Sequence, residues 1–522
     1  MEDNVYSYHT FIYPFSWKNI KKTGEDFREF IGKSGVWEKT NIEEEDDISS
    51  TNSCYKGKEL LTLYKEYQYF NPFTRKAIYG FDEGIVENYS FCGDKKIHEK
   101  AHYIIEKSDK TYDLLVNAIR LKIYNTGVAL FVIEAENYDA SSTIEDVKNI
   151  NDYGRRVSMP ILSGPNLCAD KIILDLKDRE VSIVENFSKA MINDPEAVSK
   201  DDVCLTHLCD IIKEILVYGS DKVISSRASR KDADYYIYPL LDDRMFVICS
   251  VTDEKTFDDY KNGTNYKNIY ELIYIDHSDD LSCHDEKMTK KLVEEAEYRR
   301  WIGKGSMYFV TNYSFLYLAK TSPPDFLIET FLTQYYQMAC LCIAQRASIM
   351  KLKIRAAELS KNLVITKNNK ENKYEKNVKR IMQLQDEFAR FDTQLCFDEV
   401  SSEQQAIEIF NMLKKATYIE KEKTTLKEQI SSLYDTANSS LGYSTNRIMM
   451  IFTCISNFIA IAALLVSTMQ ISGVKSCCNM LDGNKDDSSA VFFFVLIIIV
   501  ILILAIAFVL ILLNNKYKRK MK

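Results

Sequence analysis

The sequence predicts an α/β domain, then a long helical stalk, then two C-terminal transmembrane helices. Three observations lead there: two uncharged runs near the C-terminal end, a sharp shift in proline and glycine usage, and a heptad rhythm between them. The runs, Ile448–Val474 and Ala490–Leu513, carry no ionisable side chain except Cys454. Each is long enough to cross a ~30 Å hydrocarbon core as a helix. All eight prolines lie at or before Pro324, and of the 17 glycines only Gly442, Gly473 and Gly483 come after it.

Residues 1–325 read as a cytosolic mixed α/β domain. The β-type segments Leu121–Tyr124 and Val128–Ile133 flank Asn125–Thr126–Gly127, a hairpin signal. Tyr235–Tyr238 and Met245–Val251 read as further strands, alternating with helix-like stretches. Glu43–Asp47 is an acidic run expected to be a solvated loop.

Residues 326–446 read as a helical, coiled-coil-like stalk. Phe326–Asn362 has few helix breakers, Asn368–Lys373 reads as a turn, and Tyr374–Phe397 is helical again. A long segment follows from about Ser401. Its apolar positions run Ile409, Met412, Ala416, Ile419, Leu426, Ile430, Leu433, Ala437, with Lys423 the one breach in a 3-4 rhythm. Sustained heptads argue for a stalk between chains, and packing against the preceding helices of the same chain is equally compatible.

After the stalk come residues 447–474 as the first transmembrane helix, 475–489 as an outer loop, 490–513 as the second helix and 514–522 as a basic tail. The second run is Ile, Leu, Val, Phe and Ala throughout, so all its faces suit lipid. The first carries a stripe of mostly small or polar residues: Asn446, Met449, Thr453, Ser456, Ala460, Ala463, Ser467 and Gln470. Such a stripe marks either water or close helix packing, and one stripe per chain requires several copies to enclose a pore.

Charge orients these helices. Lys516, Lys518, Arg519, Lys520 and Lys522 follow the second run, while the loop offers Lys475 and Lys485 against Asp482, Asp486 and Asp487. The positive-inside rule then places both termini in the cytoplasm. Met1–Glu2–Asp3 opens no basic-then-apolar leader. A net charge of -8 argues against nucleic acid as the main partner. The 13 cysteines are scattered and expected to be ordinary buried thiols.

Catalytic motifs are weak, and the chain does not read as an enzyme. His98-Glu99-Lys100-Ala101-His102 matches the helical zinc-protease pattern, but lysines crowd it and Tyr103–Glu106 looks like a strand. Cys204, His207 and Cys209 lack a fourth ligand. Gly32-Lys33-Ser34 and Gly303-Lys304-Gly305-Ser306 lack the upstream glycine of a P-loop.

The whole arrangement resembles the CorA family of divalent-cation (Mg2+) channels. Asn446-x-x-Met449 followed by Thr453 looks like the entrance of the CorA pore helix. A divergent bacterial CorA-like subgroup is resembled by Tyr8-His9-Thr10-Phe11 with Pro14-Phe15, Ile123–Gly127, Asn151-Asp152-Tyr153-Gly154-Arg155-Arg156 and Thr311-Asn312-Tyr313-Ser314-Phe315. Tyr335-Tyr336-Gln337-Met338, Gln345-Arg346-Ala347-Ser348 and Glu403–Glu408 extend that likeness.

The resemblance implies a funnel-shaped homopentamer in the bacterial inner membrane, with Asn446, Met449, Phe452, Ser456, Ala460, Ala463 and Ser467 lining the pore. Gln470-Ile471-Ser472 stands at the selectivity-filter position, where the family carries Gly-Met-Asn; that departure and the missing mid-helix proline, with Ile461 in its place, put Mg2+ selectivity in doubt. Mg2+ or another divalent cation is the expected permeant ion or regulator, with carboxylates such as Asp279 and Asp280 as candidate regulatory ligands. Some divergent CorA-like proteins instead act as effectors of type III CRISPR antiviral defence, opened by a nucleotide messenger, S-adenosylmethionine joined to AMP. A non-conducting membrane-anchored scaffold is the third expectation.

Overall fold

In a computed structural model of the chain, the structure describes residues 6–21, 25–40, 65–80, 84–91, 101–157, 168–176, 181–187, 208–226, 232–276, 282–320, 325–366 and 371–470. They form two compact units, Met1–Ile354 with Glu387–Lys427, and Arg355–Asp386 with Glu428–Lys522.

The first unit is built on one mixed sheet of 14 strands. The N-terminal part holds β1 (Tyr6–Asn19), α1 (Phe27–Lys33), β2 (Trp37–Lys39), α2 (Pro72–Tyr79), β3 (Val86–Phe91), β4 (Ala101–Lys107), β5 (Lys110–Tyr124) and β6 (Val128–Asn137). Then follow α3 (Ile144–Gly154), β7 (Lys171–Leu176), β8 (Val181–Asn186), α4 (Asp210–Leu216), β9 (Ile224–Ser225), β10 (Tyr235–Pro239) and β11 (Phe246–Thr252). After these come α5 (Glu254–Lys261), α6 (Tyr266–Tyr274), α7 (Glu286–Ala296), β12 (Glu297–Tyr298), β13 (Ser306–Val310) and β14 (Ser314–Ala319). The strands run in the order β12-β13-β14-β11-β1-β6-β5-β4-β7-β8, with β10 also on β1 and β3 on β5.

Strand β1 is the spine. Its Ser7–Phe15 stretch pairs antiparallel with β6, while on the other side Tyr6–Ile12 pairs with β11 and Phe15–Asn19 with β10. Phe11, Ile12, Tyr13 and Phe15 are wholly buried as a result. Among the described residues only β11–β14 and β9–β10 are parallel pairs. The expected hairpin forms: Tyr124 pairs with Val128, and Gly127 supplies the positive φ of 71° the tight turn requires.

Helices dominate the rest: α8 (Asp325–Thr330), a π-helical turn (Phe331–Tyr335), α9 (Tyr336–Thr366), α10 (Glu371–Gln394), α11 (Gln404–Ala416) and α12 (Ile419–Gln470). Of the expected turn at 368–373, residues 371–373 belong to helix α10, and 368–370 lie outside the described residues. The long segment from Ser401 is not one helix. It breaks at Tyr418, whose φ is 56°. Heptad positions Ile409, Ile419, Leu426, Ile430 and Ala437 are buried within their own chain, and Lys423, the breach in the pattern, pairs with Asp392 at 3.4 Å. In the second unit, Ala356, Leu359, Val378, Ile381, Leu384, Ile430 and Ala437 are buried.

The expected fold class, an α/β domain with a helical stalk and two C-terminal transmembrane helices in a CorA-like funnel, needs correction. Among the described residues no helix is long and apolar enough to cross a membrane. Helix α12 is 52 residues long, but its first turns are charged, with Glu420, Glu422 and Lys423. The expected second span, 490–513, lies outside the described residues. The descriptions as a membrane protein and ion channel, and the multi-pass placement in the bacterial inner membrane, are corrected on the same finding.

One packing contact links the sheet to the site below. A methyl group on Gly154 would meet Phe11 Cζ at 2.8 Å and Ile105 Cδ1 at 3.0 Å. Gly154→Ala is therefore expected to cost about 1–3 kcal/mol through overpacking, read as a lower urea midpoint; an unchanged midpoint would show that β1 and α3 have room to separate.

Candidate anion site

Helix α3 starts from a capping box in which Thr143 and Asp146 each accept from the other's backbone N–H. It ends at Gly154, whose lack of a side chain lets the helix C-terminus sit on Phe11. That close approach delivers Arg155 and Arg156 into the gap between β11 and the β13–β14 turn. The backbone fixes them there: Arg156 bridges Arg244 as an isolated antiparallel pair, and Met245 N donates to Arg155 O at 2.8 Å.

Arg155 is among the largest fully buried side chains, 2% exposed. Its Nη2 donates to the carbonyl of Ile275 at 3.0 Å and lies 3.6 Å from Asp152. Arg156 Nη2 pairs with the same Asp152 oxygen at 3.0 Å. Among the described residues, Nε of Arg155 and Nε of Arg156 are buried and find no hydrogen-bond partner. A buried donor left unpaired costs about 1–3 kcal/mol, so these two atoms are the natural place for an acceptor that arrives with a ligand.

Arg244 extends the cluster. Its Nη2 lies 3.0 Å from Asp242 and its Nε 3.7 Å from Asp243. The Tyr313 ring lies near two guanidinium groups, its centroid 5.8 Å from Arg155 Cζ and 5.7 Å from Arg244 Cζ. Tyr274 meets Tyr313 edge to face at 6.5 Å, and Tyr270 stacks on Tyr274 at 4.9 Å. Arg346, from α9, is close enough to interact electrostatically with Asp242 and Tyr313.

Burial sets the electrostatics. It pulls the Arg155 guanidinium down to about 10 despite the opposing pull of Asp152, and it lowers Arg346 as well. Burial works against Arg244 too, but its hydrogen bond to Asp242 together with the charges of Asp242 and Asp243 outweighs it and the net shift is upward. For Asp242, burial is overcome by hydrogen bonds from Asp243 and Arg244, which hold it down to about 2. Asp243 is pushed up to about 6, first by its hydrogen bond with Asp242, then by burial and by the Asp242 charge. Four guanidinium groups thus face three carboxyls, one of which readily holds a proton. The cluster carries surplus positive charge, with aromatic faces beside it: the equipment for a phosphate attached to a planar ring.

Three of the sequence motifs singled out above meet here. Asn151–Arg156 supplies Asp152, Arg155 and Arg156; Thr311–Phe315 supplies Tyr313; Gln345–Ser348 supplies Arg346. A fourth, Tyr8–Phe11, lies beneath them: buried His9 bonds Asn151 at 2.8 Å and Ser7 at 2.9 Å, and burial lowers its pKa to about 4, leaving it neutral. Asp242–Arg244 carried no motif, and only its position before β11 brings it in. Tyr336 and Gln337 belong to another place, where Gln337 accepts from the buried Lys122 at 3.0 Å.

The residues expected to line a pore lie elsewhere. Met449 and Phe452 are 59% and 64% exposed on α12, and Ser456 and Ala460 are exposed too. Asn446, Ala463, Ser467 and Gln470 are on the same helix with side chains outside those described; Ile471, Ser472, Asp279 and Asp280 lie outside the described residues. Of the discounted motifs, His102 is on β4 and pairs with Asp113 at 2.5 Å, while Cys209 is buried at the start of α4. His98, Cys204 and His207 lie outside the described residues. No family model and no curated protein matches the chain.

The raised Asp243 carboxyl makes stability depend on pH with a definite sign between about 4 and 6. A carboxyl raised on folding adds stability that is present below the unfolded value near 3.8 and is lost as pH rises through about 6. Asp243→Asn removes the repulsion that appears above that window. Its melting temperature should exceed that of the parent at pH 7.5, with the gap closing toward pH 4 in a series of thermal melts.

Proposed function

We propose that this protein is a nucleotide-responsive effector of the divergent CorA-like kind, with the arginine cluster as its anion-binding site. The observation that carries the proposal is the deeply buried Arg155, its Nε unpaired among the described residues, beside Arg156, Arg244 and Arg346. The convergence of three resemblance motifs on that cluster supports it. A phosphodiester would take the guanidinium donors, and Tyr313, with Tyr274 behind it, offers a face to an adenine. S-adenosylmethionine joined to AMP, the messenger of that subgroup, has both groups.

Ion transport depends on passage through a membrane and is not carried forward. Self-association is part of the proposal. Met449, Met450, Phe452, Ile455 and Ile459 are exposed on α12, and exposed large apolar side chains are stable when other surfaces cover them. Copies of the same helix, as in the pentamer the resemblance implies, would do so.

Binding of the S-adenosylmethionine–AMP conjugate, AMP and inorganic phosphate to the full chain, measured by titration calorimetry, tests the ligand assignment. The conjugate should bind, and Arg244→Gln should weaken it about 10-fold or more, the loss of one charge-assisted hydrogen bond. Arg244 is partly exposed, so this variant is expected to keep its circular dichroism spectrum. Failure of all three ligands to bind would end the proposal. Sedimentation velocity reads the second part: an oligomer that Phe452→Asp dissociates is expected, and a monomeric parent chain would refute self-association.

A further inference from the structure

Arg244 stands just before β11, and a cluster of a different kind lies where that strand ends, beside the Tyr6–Thr252 pair. Tyr6 and Tyr8 of β1 share the face opposite Phe11, because side chains alternate along a strand. Tyr8 is directly opposite Glu136 of β6 in the register, and Glu134 is two residues back on the same face.

Both oxygens of Glu136 accept from neutral donors. Tyr6 donates to Oε1, while Oε2 accepts from Tyr138 and, at 3.0 Å, from Asn117 Nδ2. Glu134 accepts from Tyr8 at 3.0 Å and pairs with Arg120 Nε at 2.6 Å. Lys122, two residues further along β5, donates instead to Asn88 and Gln337. Glu136 is 9% exposed and, among the described residues, forms no ion pair. A carboxylate buried to that extent without a counter-charge is costly.

The surroundings are aromatic. Tyr6 and Tyr138 meet edge to face with centroids 6.5 Å apart, and Tyr138 is 60% exposed. The hydrogen bond to Glu136 pushes the Tyr138 phenol up to about 12, and burial raises Tyr6, so both keep the proton they donate. On the other side of β1, Ser250 of β11 lies directly opposite Tyr8. It is 2% exposed, and among the described residues its Oγ finds no hydrogen-bond partner. A buried hydroxyl left so is open to a polar group that arrives with a ligand.

We propose that this cluster binds an onium group, a quaternary ammonium or a sulfonium carried by a small molecule. Glu136 supplies the counter-charge, Tyr6 and Tyr138 the aromatic surface, and Ser250 a hydrogen bond to a polar substituent. The donors already on Glu136 select this class. A primary ammonium is strongly hydrated and interacts through three N–H donors, which Glu136 has few lone pairs left to receive. An onium spreads its charge over alkyl groups and is held by rings and a nearby carboxylate without direct hydrogen bonds. The site is separate from the arginine cluster and does not rest on the nucleotide reading.

Saturation-transfer NMR on the full chain tests it, with tetramethylammonium, trimethylsulfonium and methylammonium titrated at constant ionic strength. At least one onium ion should bind in the millimolar range, and methylammonium about 10-fold or more weaker. Glu136→Gln should weaken onium binding about 10-fold, and Tyr138→Ala about 3-fold. Tyr138 is exposed, so its variant is expected to keep the fold; if Glu136→Gln loses its circular dichroism spectrum, Tyr138→Ala decides alone. Binding of one onium ion and not the other supports the site and assigns its source as ammonium or sulfonium. No onium binding by the parent, or equal binding of methylammonium, overturns the proposal. Unchanged onium binding in the folded variants overturns it as well.

Discussion

Strand β1 has no free edge, and the arrangement of the first unit follows from that. Its backbone is paired with β6 on one side and with β11 and β10 on the other. Both faces of the strand must then be covered, and Phe11 is covered by the only residue type that allows a helix to come so close, Gly154. The next residue in the chain is Arg155. A packing requirement in the core thereby fixes where a charged group enters the protein.

Burying that charge has consequences around it. A guanidinium with little water must find acceptors, and Arg155 takes one from Ile275 and a distant one from Asp152. Ile275, which ends α6 with a φ of 51°, is the residue that presents that carbonyl. Arg156 and Arg244, held side by side by a backbone bridge, add like charge, which Asp242 and Asp243 partly offset. An acceptor-bearing ligand would relieve both the unpaired Nε atoms and the repulsion among the guanidinium groups.

The hairpin at Asn125–Gly127 and the strands around Tyr235 and Met245 were legible because turn chemistry and alternation are local. So was the heptad stretch, whose buried positions Ile409, Leu426, Ile430 and Ala437 face inward as the rhythm implies. The break at Tyr418 was not legible, because nothing at 417–418 is a helix breaker, yet Tyr418 takes a φ of 56°. The membrane expectation came from hydropathy, from flanking charge and from the family resemblance. Hydropathy registers a run of apolar residues, but among the described residues the helix that carries it is not long and apolar enough to cross.

By itself the sequence determined the local elements and, through short motifs, named most of the arginine cluster without showing that it was one. Arg155, Tyr313 and Arg346 are separated by more than a hundred residues between first and last, and no periodicity connects them. Tertiary structure alone decided that they meet, because β11 and β14 pair in parallel beside β1 and bring the ends of α3, the β13–β14 turn and α9 to one place. It also decided the ionisation of Asp243, since a carboxyl's proton affinity depends on the charges that surround it in space.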